Sequence, residues 1–236
     1  MSKLPRRILC ISDLHAPFSH PDARAFLEAL KRKYKPDKVV CLGDEIDHHA
    51  MSFHDSDPDL PSAGHELDLA ISYLEPLYKL FPKVEVLESN HGSMLYRKSK
   101  HYGVPRKYLR DYREILEAPK GWTWHQELIV KVPGGNKVLF RHGLASNVMQ
   151  AVAKRGMCVV QGHFHSRFEI GYLGNPDHLL WGMTAGCLIF NKSPAFEYDS
   201  HNLNRPIIGL SIIIDGLPKL LPMILNKKGR WNGYVP

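Results

Sequence analysis

Short apolar runs, each ending abruptly in a polar residue, set the rhythm of the first half of this chain. RRILCIS (6–12), DKVVCLG (37–43) and KVEVLES (83–89) are brief and continuously apolar, which predicts buried strands. Between the first two, PDARAFLEALKRKY (21–34) puts Ala25, Phe26, Ala29 and Leu30 on one face and its cations on the other, the pattern of an amphipathic helix. ELDLAISYLEPLYKLF (66–81) predicts a second helix, kinked or interrupted at Pro76 because proline lacks the N–H that the helix needs. Strand, helix, strand, helix, strand implies a mostly parallel sheet with helices packed on it.

The second half is richer in strands. LIVKV (128–132) and KVLFR (137–141) flank PGGN, a hairpin signal. MCVVQ (157–161), RFEIGYL (167–173), HLLWGM (178–183), IIGLSIIID (207–215) and LPKLLPMIL (217–225) predict a further, largely antiparallel sheet. No internal repeat or low-complexity linker divides the chain, so the expectation is one domain over residues 1–236 with two packed sheets. Two stretches break the pattern: 48–65, rich in histidine and aspartate, and a basic, aromatic insertion at about 93–121. Long insertions between strands of a rigid scaffold are where binding function concentrates.

Composition narrows the class. Cys10, Cys41, Cys158 and Cys187 form no CxxC pair, and the first three lie in apolar runs, as buried free thiols of a reducing compartment would. The longest apolar stretches are too short to span a bilayer, and the start lacks the apolar core of a secretory signal. A soluble, cytoplasmic protein with no membrane partner is expected. The formal charge of +7 favours anionic partners without choosing among them.

What ends each strand carries the chemistry. The first ends in SDLH, with Asp13 and His15 at i, i+2; the second in GDEID, with Asp44 and Asp47; the third in SNHG, with Asn90 and His91. KVLFR leads to His142 in RHG, and MCVVQ to His163 and His165 in GHFH. In open α/β sheets ligands sit outside the carboxyl ends of the strands. Singly, each residue has a bland role, such as a turn cap for Asp13. Five such ends in one chain predict a dinuclear metal centre.

This set resembles the calcineurin-like metallophosphoesterase superfamily, whose signature runs DxH, GDxxD, GNH(D/E), an isolated His and GHxH. The resemblance extends in order from Asp13 to His165. It implies a four-layer αββα sandwich of two mixed β-sheets flanked by helices. It also implies one metal held by Asp13, His15 and His165, a second by Asn90, His142 and His163, and Asp44 bridging both. His91 would be the proton donor to the leaving group, oriented by Asp47, in phosphate-ester hydrolysis by a metal-bridged hydroxide. The oxygen and nitrogen donors, without thiolate, suit two divalent ions of Mn, Fe or Zn. Two such ions bring +4 against two anionic ligands, so the centre keeps roughly +2 for hydroxide and phosphate oxygens.

The departures are Ser89 for the usual Gly and Gly92 for the usual acid. The latter removes a carboxylate beside the acid. Asp47 is followed by His48-His49, not the Arg-Gly of the Ser/Thr protein phosphatase branch, which disfavours a phosphoprotein substrate. A non-catalytic interaction module on this fold is an alternative, although such a module is expected to lose ligands or the acid, and none is lost here.

Within the insertion, MLYRKSKHYGVPRKYLRDYR (94–113) holds seven cations, including Arg97, Lys98 and Arg106, against the single acid Asp111. Tyr96, Tyr102, Tyr108 and Tyr112 are interleaved with them. Cations that track a phosphate backbone, with aromatics that stack on bases, predict a nucleic-acid phosphodiester substrate and an exonuclease-type activity. The alternatives are a small nucleotide or phosphomonoester substrate, and for the segment itself a solvated helix pair with its tyrosines packed on the body. Arg167 would bind phosphate or form a surface ion pair. His48, His49 and His54 would line the cleft or lie solvated in a loop, and the cationic tail around Trp231 would be docked or frayed.

Overall fold

The structure, a computed structural model, describes residues 4–53, 57–174, 176, 179–199 and 205–236. Four parallel strands, β1 (Arg7–Ile11), β2 (Lys38–Cys41), β3 (Val84–Leu87) and β4 (Trp122–His125), build most of the first sheet. Helices α1 (Ala23–Tyr34) and α2 (Ala63–Leu80) connect them on one side. The second sheet has the order β5 (Leu128–Lys131), β6 (Lys137–Arg141), β7 (Cys158–Gln161), β9 (Leu179–Ala185), β8 (Phe168–Gly174).

Strand alternation assigns the layers. Leu9, Ile11, Val39, Cys41, Val84 and Val86 share a core with Phe26, Leu27 and Leu30 of α1 and Leu74 and Leu77 of α2. The intervening residues Ile8, Cys10, Val40 and Leu87 join Val138, Phe140, Val159 and Trp181 of the second sheet. On that sheet lies α5 (Val148–Arg155), after α3 (Met94–His101) and α4 (Tyr112–Ile115) of the insertion. Val148, Ala151 and Val152 of α5 are buried, and it approaches closely because Gly171 and Gly182 leave room for Met149 and Val152. The result is the expected αββα sandwich.

Several details depart from the sequence expectation. The strands near the C-terminus, β10 (Gly209–Ile214) and β11 (Leu217–Pro222), extend the first sheet, where β10 pairs antiparallel with β1. The second sheet is mixed rather than largely antiparallel: β6, β7 and β9 run parallel, and α5 makes the crossover between β6 and β7. Pro76 does not interrupt α2. The N–H that Pro76 lacks would have bonded the carbonyl of Ser72, which lies on the exposed face, where solvent can reach it.

All four cysteines are free and buried, and burial pushes the Cys10 thiol up to about 12. Among the described residues no helix is long and apolar enough to cross a membrane. The tail is docked, with Arg230 paired to Asp22 and the Trp231 ring 5.4 Å from that of Phe26.

Trp122 of β4 anchors the helical face. It is 1% exposed, its Nε1 donates to the Phe81 carbonyl at 2.8 Å, and its ring meets Tyr78 edge-on at 4.9 Å. Trp122→Ala is expected to cost about 3–5 kcal/mol, measured as a shift of the urea unfolding midpoint at unchanged slope.

Candidate metal centre

The carboxyl ends of β1, β2, β3, β6 and β7 meet along one edge of the sandwich, and each turn there is bent so that its polar side chain faces inward. Asp13, His15 and Asp44 all have φ of 49°, and His163 has 70°, a left-handed conformation uncommon outside glycine. Such residues persist where the surroundings hold them, and they gather at functional sites. Here the turns tie one another down: Asp13 N–H donates to the Gly43 carbonyl at 3.2 Å and His15 N–H to that of Asp44 at 2.9 Å.

Two motif glycines are required by space. A Cβ on Gly162 would stand 2.6 Å from Asp13 Oδ2, and one on Gly43, itself at φ 101°, 2.6 Å from Ser89 Cβ. The glycine of GHFH exists so that the backbone can pass against the carboxylate of SDLH.

Seven sequence-predicted residues come together. Asp13, His15, Asp44 and His165 each place a donor atom within 4.8 Å of the others, and Asp44, His142 and His163 form a second such group. Asn90 joins the second group, its Oδ1 2.7 Å from His142 Nε2. Asp44 belongs to both.

Hydrogen bonds on the far side of two rings fix which nitrogen faces inward. His15 Nδ1 donates to the Asp47 carboxylate, and His142 Nδ1 to the Leu42 carbonyl at 2.8 Å. Each ring then turns its Nε2 toward Asp44 Oδ2, at 3.5 Å from His15 and 3.2 Å from His142, a lone pair whenever the ring is neutral. His165 Nε2 lies 3.2 Å from both His15 Nε2 and Asp13 Oδ1. Neutral His15 and His142 would face Asp44 as acceptor against acceptor, which repels unless a proton or a metal ion stands between. Donors bound to one ion at about 2.0–2.2 Å are themselves roughly 3.0–3.5 Å apart, which matches these spacings. The residues therefore fit a divalent metal ion in each group.

The electrostatics of the bare chain state the same need. Burial would raise the Asp44 carboxyl, yet His142, His91 and His15 hold it well below the usual range. Burial would lower His142, but Asp44 and Asp13 raise it to about 9, so a proton serves as the cation there. Metal binding displaces such protons.

His91 sits beside this cluster. Its Nδ1 donates to the Asp47 main-chain carbonyl, and its N–H to Asp44 Oδ1 at 3.2 Å. The Asp47 carboxylate is 3.8 Å from His91 Nδ1 and bonds instead to His15. Asp47 thus holds His91 through its backbone, a finer arrangement than the sequence alone conveys.

Three supporting residues carried little or no signal in the sequence. Ser89 Oγ accepts from the N–H of Asp44 at 3.0 Å and of Gly92 at 3.1 Å, tying the second motif to the third. A Cβ on Gly92 would lie 3.3 Å from the Tyr112 hydroxyl, so this tyrosine of α4 fills the room an acidic side chain would need. Glu45 is buried, and Trp124 Nε1 donates to it at 3.1 Å.

Two cavities, of about 650 and 560 Å³, open on either side of Asn90, His163 and Phe164, and Arg97 lines both. Lys98, Arg106 and Arg167 line neither. Lys98 lies over the Phe53 ring and Arg106 over Tyr96. Arg167, the residue just before β8, faces Glu169 of that strand at 3.8 Å. His48 is buried with Nδ1 3.0 Å from the His91 carbonyl, and His49 lines the smaller cavity. His54 lies outside the described residues.

The family model for calcineurin-like phosphoesterases matches residues 6–192. Among solved structures, YfcE, a phosphoesterase from E. coli, superposes with a TM-score of 0.51 at 12% identity, covering 96% of this chain and 97% of its own. Vps29 from Chaetomium thermophilum gives 0.52 at 14% identity, covering 99% and 96%. At such identities these likenesses are of fold. No curated protein sequence matches the chain.

If Asp44 serves both groups, Asp44→Asn should lose both ions together. In equilibrium dialysis against Mn²⁺, occupancy is expected to fall at least tenfold with no single-ion plateau, and the rise in melting temperature on adding Mn²⁺ should vanish.

Proposed function

Because the chain belongs to the calcineurin-like phosphoesterase family, we propose that it is a dinuclear phosphodiesterase, with nucleic acid as its preferred class of diester. The observation that carries this reading is the position of Asp44 in both donor groups, beside two cavities that meet at Asn90 and His163. Asp13, His15 and His165 would hold one ion, Asn90, His142 and His163 the other, and Asp44 both; Mn²⁺ suits these donors, as do Fe and Zn²⁺. When bound, such a pair supplies Lewis acidity at phosphorus and a nucleophile from water near neutral pH.

The rest is the work of side chains. A monoester has one substituent at phosphorus and a diester two, and the two cavities offer each arm its own room. On the smaller side stands His91; with its Nδ1–H on the Asp47 carbonyl, Nε2 is the ring nitrogen left facing the cavity, and in the doubly protonated ring it would give a proton to the departing oxygen. The larger side, with Arg141 at its wall, would take the retained arm. Arg97, common to both, would neutralise phosphate oxygens. The four buried thiols accord with a cytoplasmic setting.

A panel in Mn²⁺ tests the reading: bis(p-nitrophenyl) phosphate, p-nitrophenyl phosphate, single- and double-stranded DNA, and RNA. Turnover of diesters, abolished by EDTA, is expected; turnover of the monoester alone would sink the diester preference. Metal binding without hydrolysis of any ester would mark a binding module instead.

His91→Ala should keep both ions and lower kcat by about 10²–10⁴-fold when the leaving group is an alkoxide. With nitrophenolate, a weak base that departs without a proton, the loss should be much smaller. Equal losses for both leaving groups would contradict the role of proton donor.

A further inference from the structure

We propose that the surface formed by Phe53 and the α3 to residue 108 segment binds single-stranded nucleic acid and feeds it to the metal centre; this deepens the diesterase reading and rests on it. The tyrosines of this segment mostly do not pack on the body. Tyr102 and Tyr108 are 75% and 72% exposed, Phe53 51% and Tyr96 40%, whereas only Tyr112 turns inward. Large aromatics left in water at this density mark a binding surface.

Each ring but one is paired with a cation. Arg97 and Lys98 both lie 5.0 Å from the Phe53 centroid, Arg106 lies 5.3 Å from Tyr96, and Lys107 5.4 Å from Tyr108. A ring with a cation over one face and half its surface in water still has a face on which a base can stack. None of the seven cations of residues 94–113 makes an ion pair among the described residues, so their charge is available to phosphates.

Position turns this surface into a substrate path. Phe53 and Arg97 both line the cavity that contains His91, and α3 begins three residues beyond that histidine. Bases in a duplex are already stacked on one another, so rings arranged this way favour unpaired strands or frayed ends. An anionic membrane would also attract cations and aromatics, but it could not follow them into a cleft.

The test is fluorescence anisotropy with the full chain in Mn²⁺ and cleavage-resistant phosphorothioate strands of DNA and RNA, about 12 nucleotides long, within the usual site size. Single strands should bind at least tenfold more tightly than the matching duplex, and comparison of the two sugars distinguishes DNA from RNA as the source. Tyr96→Ala and Tyr108→Ala should each weaken binding by about tenfold at unchanged melting temperature and Mn²⁺ occupancy. Lys98→Gln should flatten the slope of log affinity against log salt by about 0.7.

Equal affinity for duplex, or tyrosine variants that bind like the parent, would overturn the proposal. So would phosphatidylserine vesicles that bind more tightly than either strand and lose affinity in the same variants. Binding is read apart from turnover, so a strand that binds here while no diester is ever cut counts against the hydrolase reading alone. A chain that cuts bis(p-nitrophenyl) phosphate yet ignores single strands counts against this one alone.

Discussion

A fully buried carboxylate has to be paid for with cations, and Asp44 shows how far that constraint reaches. Asp44 and Asp13 are out of water, with His15 beside them and His142 nearly so. An unpaired ion in that setting costs several kcal/mol. The chain answers by bringing imidazoles from β1, β6 and β7 to the same edge as the two aspartates. Hydrogen bonds behind His15 and His142 leave the Nε2 atoms of both rings facing the carboxylates. Against the pull of burial, Asp44 and Asp13 raise His142 and Asp13 raises His165, so the site favours added positive charge, as protons or as metal ions.

That demand explains why so much of the surrounding geometry is unrelaxed. Left-handed turns at Asp13, His15, Asp44 and His163 cost backbone energy, each held by bonds to a neighbouring turn or by close packing. Gly43 and Gly162 give up side chains so that Ser89 and Asp13 can take the space. The two hydrophobic cores on either face of the first sheet supply the rigidity against which these local strains are held.

Much of this was legible beforehand, because a buried parallel strand writes itself as an apolar run and its polar terminus stands out. The donors could be named for that reason. What stayed hidden was non-local or understated. Nothing local in GLSIII records whether β10 pairs with β1 or with β9, since pairing partners lie far away in sequence. By contrast, α5 carried its own punctuation: Asn147 caps it by accepting from Met149 N–H at 2.9 Å, and Gly156 closes it at φ 61°. At eight residues it was simply overshadowed by its strand neighbours. Trp122 and Trp124 alternate as a strand should, but the basic segment before them hid β4. Ser89 and Gly92 read as departures from a pattern when they are parts of a local solution, one tying two motifs and the other making room for Tyr112.

Asp47 has the widest consequences of the supporting residues. Its carboxylate fixes the His15 ring and its carbonyl fixes the His91 ring, so one residue orients a metal-ligand candidate and the candidate acid with separate atoms. The two rings also touch edge-on, 4.6 Å between centroids. A carboxylate behind a histidine raises its basicity as a ligand and pins its tautomer; a carbonyl behind the other pins the tautomer without adding a full charge. The division of labour within Asp47 thus fixes two neighbouring imidazoles through separate atoms, so that the ring of the ligand candidate and the ring of the candidate acid are set independently although they lie side by side.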